Sequence, residues 1–324
     1  MDRIAFVFPG QGSQSVGMGK ALAEASPAAA AVLAEADDAL GEPVSHLAFD
    51  GPAEQLDLTV NAQPALVAVS VAFLAALRER WAAAGIAAPQ PAYAAGHSMG
   101  QYSAMVAAGV ISLADAVRLV RERGRQMQAS GQGRSGAMAA IIGLDDARIP
   151  EMLALGAPHG SVTVANRTAP GQIVISGDRA AVEAAVAGVR ELGGRRGILL
   201  PVSVAAHSSL MAEAADGMSR VLASITFADP AIPLLANSNA RPITTAAGAR
   251  AELIEHLTRG VDWVAAVERM TADGVTTFVE IGPGKVLTGL IKRIAPDANA
   301  VAVDDAAAPG GIAVPFDDGS AVTN

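Results

Sequence analysis

An unbroken apolar run, Ile4-Ala5-Phe6-Val7-Phe8, ends at Pro9-Gly10. A strand with one wet face alternates apolar and polar positions, so this run predicts a strand buried on both faces, near the centre of a parallel sheet. Downstream the spacing changes to the three-to-four repeat of amphipathic helices over 17–40 and again over 65–84, and a second short strand is predicted over 92–95. Two further helices are expected over 99–108 and 112–129. The loops that leave such strands lie along the carboxyl edge of the sheet, where α/β proteins build their sites.

Around Gly131-Gln132-Gly133-Arg134-Ser135-Gly136 the chain turns polar and glycine-rich, which marks a crossing between two units. Beyond it the pattern reads strand 137–142, a helix from Asp145, strands 162–165 and 172–176, helix 178–192 and strand 197–200. This β-α-β-β-α-β order, about 65 residues long, is that of a ferredoxin-like subdomain. The α/β pattern then resumes, with buried strands over 233–236 and 277–281, helices between them and another helix after Gly284. The expected fold is therefore α/β. Segments 1–131 and 201–303 form a discontinuous parallel-sheet core, 132–200 is the inserted subdomain, and 304–324 is a loosely packed tail dominated by Ala, Gly, Pro and Asp.

Composition narrows the function classes. Half of the 324 residues are hydrophobic, but the excess is alanine, and apolar stretches such as 82–88, closed by Pro89, are too short to span a bilayer. Met1-Asp2-Arg3-Ile4 runs directly into the first strand without the basic, apolar and small-residue succession of a secretory signal, so a cytoplasmic location away from membranes is expected. A net charge of −9 and 3% aromatic residues argue against a nucleic-acid partner. The absence of cysteine excludes disulfides, thiolate metal sites and a cysteine nucleophile. Lys285, Lys292 and Arg293 could form a local basic patch for an acidic carrier protein, or an ordinary solvated helix face.

Gly96-His97-Ser98-Met99-Gly100 falls between the strand predicted at 92–95 and a helix, where flanking glycines allow the strained turn that exposes a serine hydroxyl. A serine becomes a nucleophile only when a base takes its proton and backbone N–H groups await the oxyanion. The motif alone also fits a plain glycine-flanked turn; its position between strand and helix favours chemistry. Of the five histidines, His97 adjoins Ser98 and would point away from it, and His46 and His159 fall in expected surface loops. His207 and His256 remain as candidate bases. His207 follows the return from the inserted segment and precedes a helix, where a loop side chain can reach across a cleft. No acid between 98 and 207 stands out to complete a Ser-His-acid triad. A thioester can do without one, because a thiol with a pKa of about 8.5 leaves far more easily than an amine.

Pro9-Gly10-Gln11-Gly12-Ser13-Gln14 belongs to the same sheet edge, and no Gly-Lys-Ser or Gly-Lys-Thr follows to suggest a phosphate loop. Arg121, Arg123 and Arg125 share one predicted helix, and composition does not separate them. One that faced the cleft would select a carboxylate through its fixed charge and paired donors.

Together these segments resemble the malonyl-CoA:acyl carrier protein transacylases of fatty-acid biosynthesis and, more broadly, the acyltransferase domains of polyketide synthases. The resemblance runs from Phe6-Val7-Phe8-Pro9-Gly10-Gln11-Gly12-Ser13-Gln14 through Gln63-Pro64-Ala65, the Ser98 turn and Gly136-Ala137-Met138-Ala139-Ala140-Ile141. It continues in Pro170-Gly171-Gln172, Pro201-Val202-Ser203-Val204 with His207, and Glu280-Ile281-Gly282-Pro283-Gly284-Lys285-Val286-Leu287, covering residues 1–295. It implies an α/β-hydrolase-like core with a ferredoxin-like insertion. It also implies Ser98 as nucleophile, His207 as general base and acid, Gln11 and the Met99 N–H at the oxyanion hole, and Arg123 on the free malonyl carboxylate. The implied cycle is ping-pong: malonyl-CoA loads Ser98, and the phosphopantetheine thiol of an acyl carrier protein unloads it. No bound cofactor or metal is expected, and the working state is taken as a monomer.

Three positions depart from the family's usual pattern. His256 stands where a glutamine is usual whose backbone carbonyl orients the catalytic histidine, a role any residue can keep. Gln101 replaces a frequent glutamate, and Thr168 stands where a second asparagine after the supporting Asn166 is common. Val204-Ala205-Ala206 matches neither usual pattern before the histidine in the polyketide relatives, and one methyl is worth only about 1–3 kcal/mol in a pocket. Malonyl and methylmalonyl transfer within a polyketide pathway therefore stay open, as do a serine hydrolase or thioesterase and an idle carrier-binding protein.

Overall fold

The computed structural model describes residues 3–131, 135–202 and 204–303. The centre of the glycine-rich crossing, Ser203 and the tail at 304–324 lie outside the described residues.

Strand β1 (Ile4–Phe8) is buried at every position, as its unbroken run requires. The helical pattern over 17–40 resolves into α1 (Lys20–Ala25) and α2 (Pro27–Leu40). Ser26 divides them: its extended backbone ends one helix, its hydroxyl accepts from the Ala29 N–H, and Pro27 takes the first position of the next. Two short helices that periodicity did not reveal, α3 (Val44–Asp50) and α4 (Ala53–Leu56), lead into α5 (Thr59–Ala83). His46 thus lies on a helix rather than in a loop, though it is exposed as expected.

Helix α5 begins at Thr59, not 65, because Pro64 sits in its second turn, where only the bond back to Val60 is lost. With a mean hydropathy of 1.8 it is long and apolar enough to cross a membrane, unlike the shorter stretch at 82–88. In the fold 83% of that stretch is buried, packed against α2 and α7, so α5 serves as a core helix.

The chain continues through β2 (Tyr93–Gly96), α6 (Gly100–Ala107) and α7 (Leu113–Ser130), the last capped by the Ser112 hydroxyl. Next come β3 (Gly136–Ile142), α8 (Ile149–Gly156), β4 (Val162–Ala169), β5 (Gln172–Asp178), α9 (Arg179–Gly188) and β6 (Arg196–Leu199). The final stretch holds α10 (Ala212–Leu222), β7 (Leu234–Leu235), β8 (Pro242–Ile243), α11 (Ala246–Thr258), β9 (Val261–Asp262), α12 (Trp263–Ala272), β10 (Thr277–Ile281), α13 (Val286–Ile294) and β11 (Asn299–Val303). The strand expected over 233–236 shrinks to β7 because the chain turns back at once, with Ala236 N–H donating to Arg241 O.

Two sheets result. The first has the order β11-β10-β1-β2-β7-β8, parallel throughout except for the edge strand β8. Phe6 and Phe8 face one core with α2, α5, α7, α10 and α11, while Ala5 and Val7 face a second core with α12 and α13. That alternation along β1 is the strand period of two, and it sandwiches the sheet between helices. The second sheet has the order β6-β3-β5-β4-β9. Its first four strands are mutually antiparallel and pack a separate core against α8 and α9; β9, from beyond the expected boundary at 200, adds in parallel to β4.

Candidate active site

The turn after β2 is built by close contact. A Cβ on Gly96 would lie 2.0 Å from the Gly100 carbonyl carbon, and one on Gly100 would lie 2.3 Å from Phe8 O, so strand, turn and α6 can meet only with glycine at both places. Between them Ser98 adopts φ 51°, a left-handed conformation that presents its hydroxyl. Its backbone N–H donates to Asn237 Oδ1 at 2.8 Å, and the Asn237 N–H donates to Glu252 Oε1 at 2.7 Å. Gln101 secures the next layer: Oε1 accepts from the Gly96 N–H and Nε2 donates to Leu235 O, both at 3.0 Å. A carboxylate could only accept there, so the replacement of glutamate ties β2 to β7.

His207 meets Ser98 from the far side. It too has a positive φ, 59°, stabilised by Ser208, whose hydroxyl donates back to Ala205 O and accepts from the Leu210 N–H. His207 Nε2 lies 2.8 Å from Ser98 Oγ. Its Nδ1 lies 2.6 Å from His256 O and 3.2 Å from Arg259 O. Carbonyls only accept, so Nδ1 carries the proton and the Nε2 lone pair faces the serine O–H. Two main-chain carbonyls occupy the place of a triad's acid. Burial, the Arg123 charge and nearby His97 push His207 down to about 3, which keeps the imidazole neutral and able to accept.

Arg121, Arg123 and Arg125 of α7 separate by helical phase. Arg121 pairs with Glu42 and Asn61, and Arg125 is exposed beside Glu122. Arg123 is 1% exposed; its Nη2 donates to Ser98 Oγ at 3.1 Å and its Nε to His256 Nε2 at 3.3 Å. Gly124 beside it lets α7 press against α5, since a Cβ there would lie 2.8 Å from Val60 Cα.

Met99 is buried at the N-cap of α6, directly after the serine. Gln11 is exposed on the loop after β1, with its amide donating to Thr59 Oγ1 at 3.2 Å. Asn166 lies in β4, and its buried Oδ1 has no hydrogen-bond partner among the described residues; Thr168 donates to Gln172 O. Arg293, read as part of a basic patch, is occupied by Gln172 Oε1 and Pro170 O, so it braces the β4–β5 turn. Asn237 and Glu252 were not anticipated. Asn237 did carry one usable signal, a polar residue directly after a predicted strand, as Ser98 is.

A serine hydroxyl, a neutral imidazole and a buried guanidinium thus share one hydrogen-bonded cluster. The acyl transferase domain family matches residues 5–307. The chain belongs to that family. This acyltransferase is 46% identical to the malonyl CoA-acyl carrier protein transacylase of Salmonella typhimurium, over 95% of this chain and 98% of that one. It is 44% identical to the Bacillus subtilis transacylase of the same name, over 94% of each chain. Among solved structures, it is similar to the acyl-carrier-protein S-malonyltransferase of Bartonella henselae, with a TM-score of 0.89 and 45% identity over 93% of this chain and 95% of that one. A malonyl-transacylase solved in complex with its type II polyketide synthase acyl-carrier protein matches with a TM-score of 0.86 and 42% identity, over 93% and 95%.

Proposed function

We propose that this acyltransferase moves a malonyl group from malonyl-CoA to the phosphopantetheine thiol of an acyl carrier protein, through a malonyl ester on Ser98. The observation that carries the reading is the buried Arg123 guanidinium, 3.1 Å from Ser98 Oγ. A hydrolase of neutral esters gains nothing from a fixed cation beside its nucleophile, whereas an acyl chain ending in a carboxylate is held by it.

Ser98 Oγ attacks the thioester carbonyl carbon as its proton passes to His207 Nε2. The Met99 N–H, at the positive end of α6, and Gln11 on the facing loop receive the oxyanion. The C–S bond then breaks, and the CoA sulfur departs with the proton from His207. In the second half the carrier's thiol gives its proton to His207, its sulfur attacks the ester, and Ser98 Oγ leaves with that proton. Arg123 also depresses His207 in the resting site. A malonyl carboxylate on Arg123 offsets that charge, so the base strengthens when the right substrate is bound.

The same reading divides the chain into an α/β-hydrolase-like core, 1–131 and 201–303, and a ferredoxin-like subdomain at 132–200. The strand order β6-β3-β5-β4 with α8 and α9 as crossovers supports that division. The likeness to a transacylase that serves a polyketide carrier supports either a fatty-acid or a polyketide carrier as acceptor.

Intact-mass analysis after incubation with malonyl-CoA tests the function. One malonyl adduct should form, vanish in Ser98→Ala, and move to an added phosphopantetheinylated carrier. Labelling that survives Ser98→Ala, or acetyl-CoA reacting as well as malonyl-CoA, would overturn it.

A further inference from the structure

His256 does more than lend a carbonyl to His207. Its side chain is fully buried on α11, and its Nε2 lies 3.3 Å from Arg123 Nε. An arginine nitrogen only donates, so Nε2 must accept, and a neutral imidazole then carries its proton on Nδ1. Nδ1 faces Glu252 Oε1 at 4.0 Å, and the Tyr102 ring lies edge-on with centroids 6.1 Å apart. Burial, the Arg123 charge and His207 all hold His256 well below the usual histidine range. A protonated ring would leave the Arg123 N–H without its acceptor and set two cations side by side.

The consequence lies in the geometry of the guanidinium. Nε donates to His256 and Nη2 to Ser98 Oγ, and because Nε–H and one Nη2 hydrogen share an edge, that single edge can serve both partners. The edge formed by the two terminal nitrogens remains as the fork for a carboxylate. We infer that the His256 side chain is a positioning residue for substrate selection, gripping Arg123 by its Nε–H so that the terminal nitrogens face the malonyl carboxylate. The inference rests on the malonyl reading above. It also explains how histidine can replace glutamine, since the glutamine side-chain oxygen offers the same acceptor.

The test compares His256→Gln, which keeps an acceptor, with His256→Leu, which does not, using the full chain and single-turnover acylation by malonyl-CoA and by acetyl-CoA. Losing a hydrogen bond to a charged group should raise the malonyl-CoA KM of His256→Leu roughly ten- to hundredfold, with kcat falling less. Acetyl-CoA acylation should stay within about threefold, and His256→Gln should restore the malonyl-CoA KM to within about threefold of wild type. Circular dichroism checks folding; if His256→Leu does not fold, His256→Met, closer to the original length and also without a strong acceptor, replaces it. Equal losses for both donors, an unchanged malonyl-CoA KM, or a His256→Gln no better than the acceptor-free variant overturns the inference alone. A wild-type enzyme that forms no malonyl ester overturns the malonyl reading and this inference with it.

Discussion

The two sheets differ in what surrounds them. In the six-stranded sheet β1, β2 and β10 are buried at every position, whereas in the five-stranded sheet β4 is half-buried over much of its length and the edge strand β6 is exposed at three of its four residues. Helices on both faces immobilise the first sheet, so the loops at its carboxyl edge are fixed by main-chain contact. Ser98 hangs there, and His207, Arg123, Asn237 and His256 reach it from elements packed on the same sheet. The second sheet touches this centre through the main chain, where β9 pairs with β4 two residues after Arg259, whose carbonyl holds His207. A sheet buried on both sides can carry atoms to within tenths of an ångström; a sheet with an open face and edge can cover and brace.

The largest effect expected from this contrast is at Gly100. In Gly100→Ala the new Cβ would lie 2.3 Å from Phe8 O and 2.7 Å from Pro9 O, both main chain, so α6 or β1 must move. Overpacking against backbone should destabilise the fold by about 3 kcal/mol and slow Ser98 acylation more than tenfold. Denaturant unfolding and single-turnover acylation measure the two. A variant with wild-type stability and rate would show that the elbow is not held by contact, and the comparison of the sheets would lose its basis.

Acid should also act on the first region before the second. Half-buried His97 and buried His207 and His256 all surround the parallel sheet, and desolvation lowers His97 to about 4 and His207 to about 3. The folded state therefore binds fewer protons than the unfolded chain as pH falls below about 6.5, and each histidine withdraws stability by up to about 1.4 kcal/mol per pH unit. Glu252, raised to about 7 by burial, works in the opposite sense, because its folded form gains a proton that the unfolded chain lacks between 7 and 4.5. Burial raises Glu280 as well, and three histidines against two carboxyls still give a net loss. The melting temperature at constant ionic strength should fall from pH 6.5 to 4.5, and His97→Gln should flatten the slope. A melting temperature that rises over that range would mean Glu252, not the histidines, governs the response.

What was legible followed from side chains with distinctive chemistry beside clear strands. β1, β2, the Ser98 elbow and the alternation around β3 to β6 were readable, because full burial, glycine spacing and strand-helix order all leave marks in sequence. From composition and spacing Arg123 is one of three, since its phase on α7 depends on where that helix lies, and only the family resemblance singles it out. Asn237 and Glu252 were not, because they act through hydrogen bonds to backbone N–H groups, one of them 139 positions away. The carbonyls of His256 and Arg259 have no side-chain signature; the first is expected only through the family resemblance and the second not at all. Pro64 misled the start of α5, and two-residue strands such as β7 and β9 are too short to show a period.

The smallest effect belongs to the exposed edge of the second sheet. Ile198 on β6 is 38% exposed, and among the described residues its strand pairs only with β3. Its replacement by lysine forfeits part of an already incomplete burial, and the long side chain can keep its stem on the sheet while the ammonium reaches water. Lysine is also a residue that natural edge strands use to discourage pairing with other chains. Ile198→Lys should therefore shift unfolding by no more than about 0.5–1 kcal/mol and leave the rate of malonyl loading on Ser98 unchanged. Loading by malonyl-CoA is the decisive readout, because it engages the chemistry without a carrier protein that could touch β6. A tenfold loss of loading in a folded variant would mean that the second sheet reaches the reacting atoms, and that the division between a sheet that holds chemistry and a sheet that braces it is drawn in the wrong place.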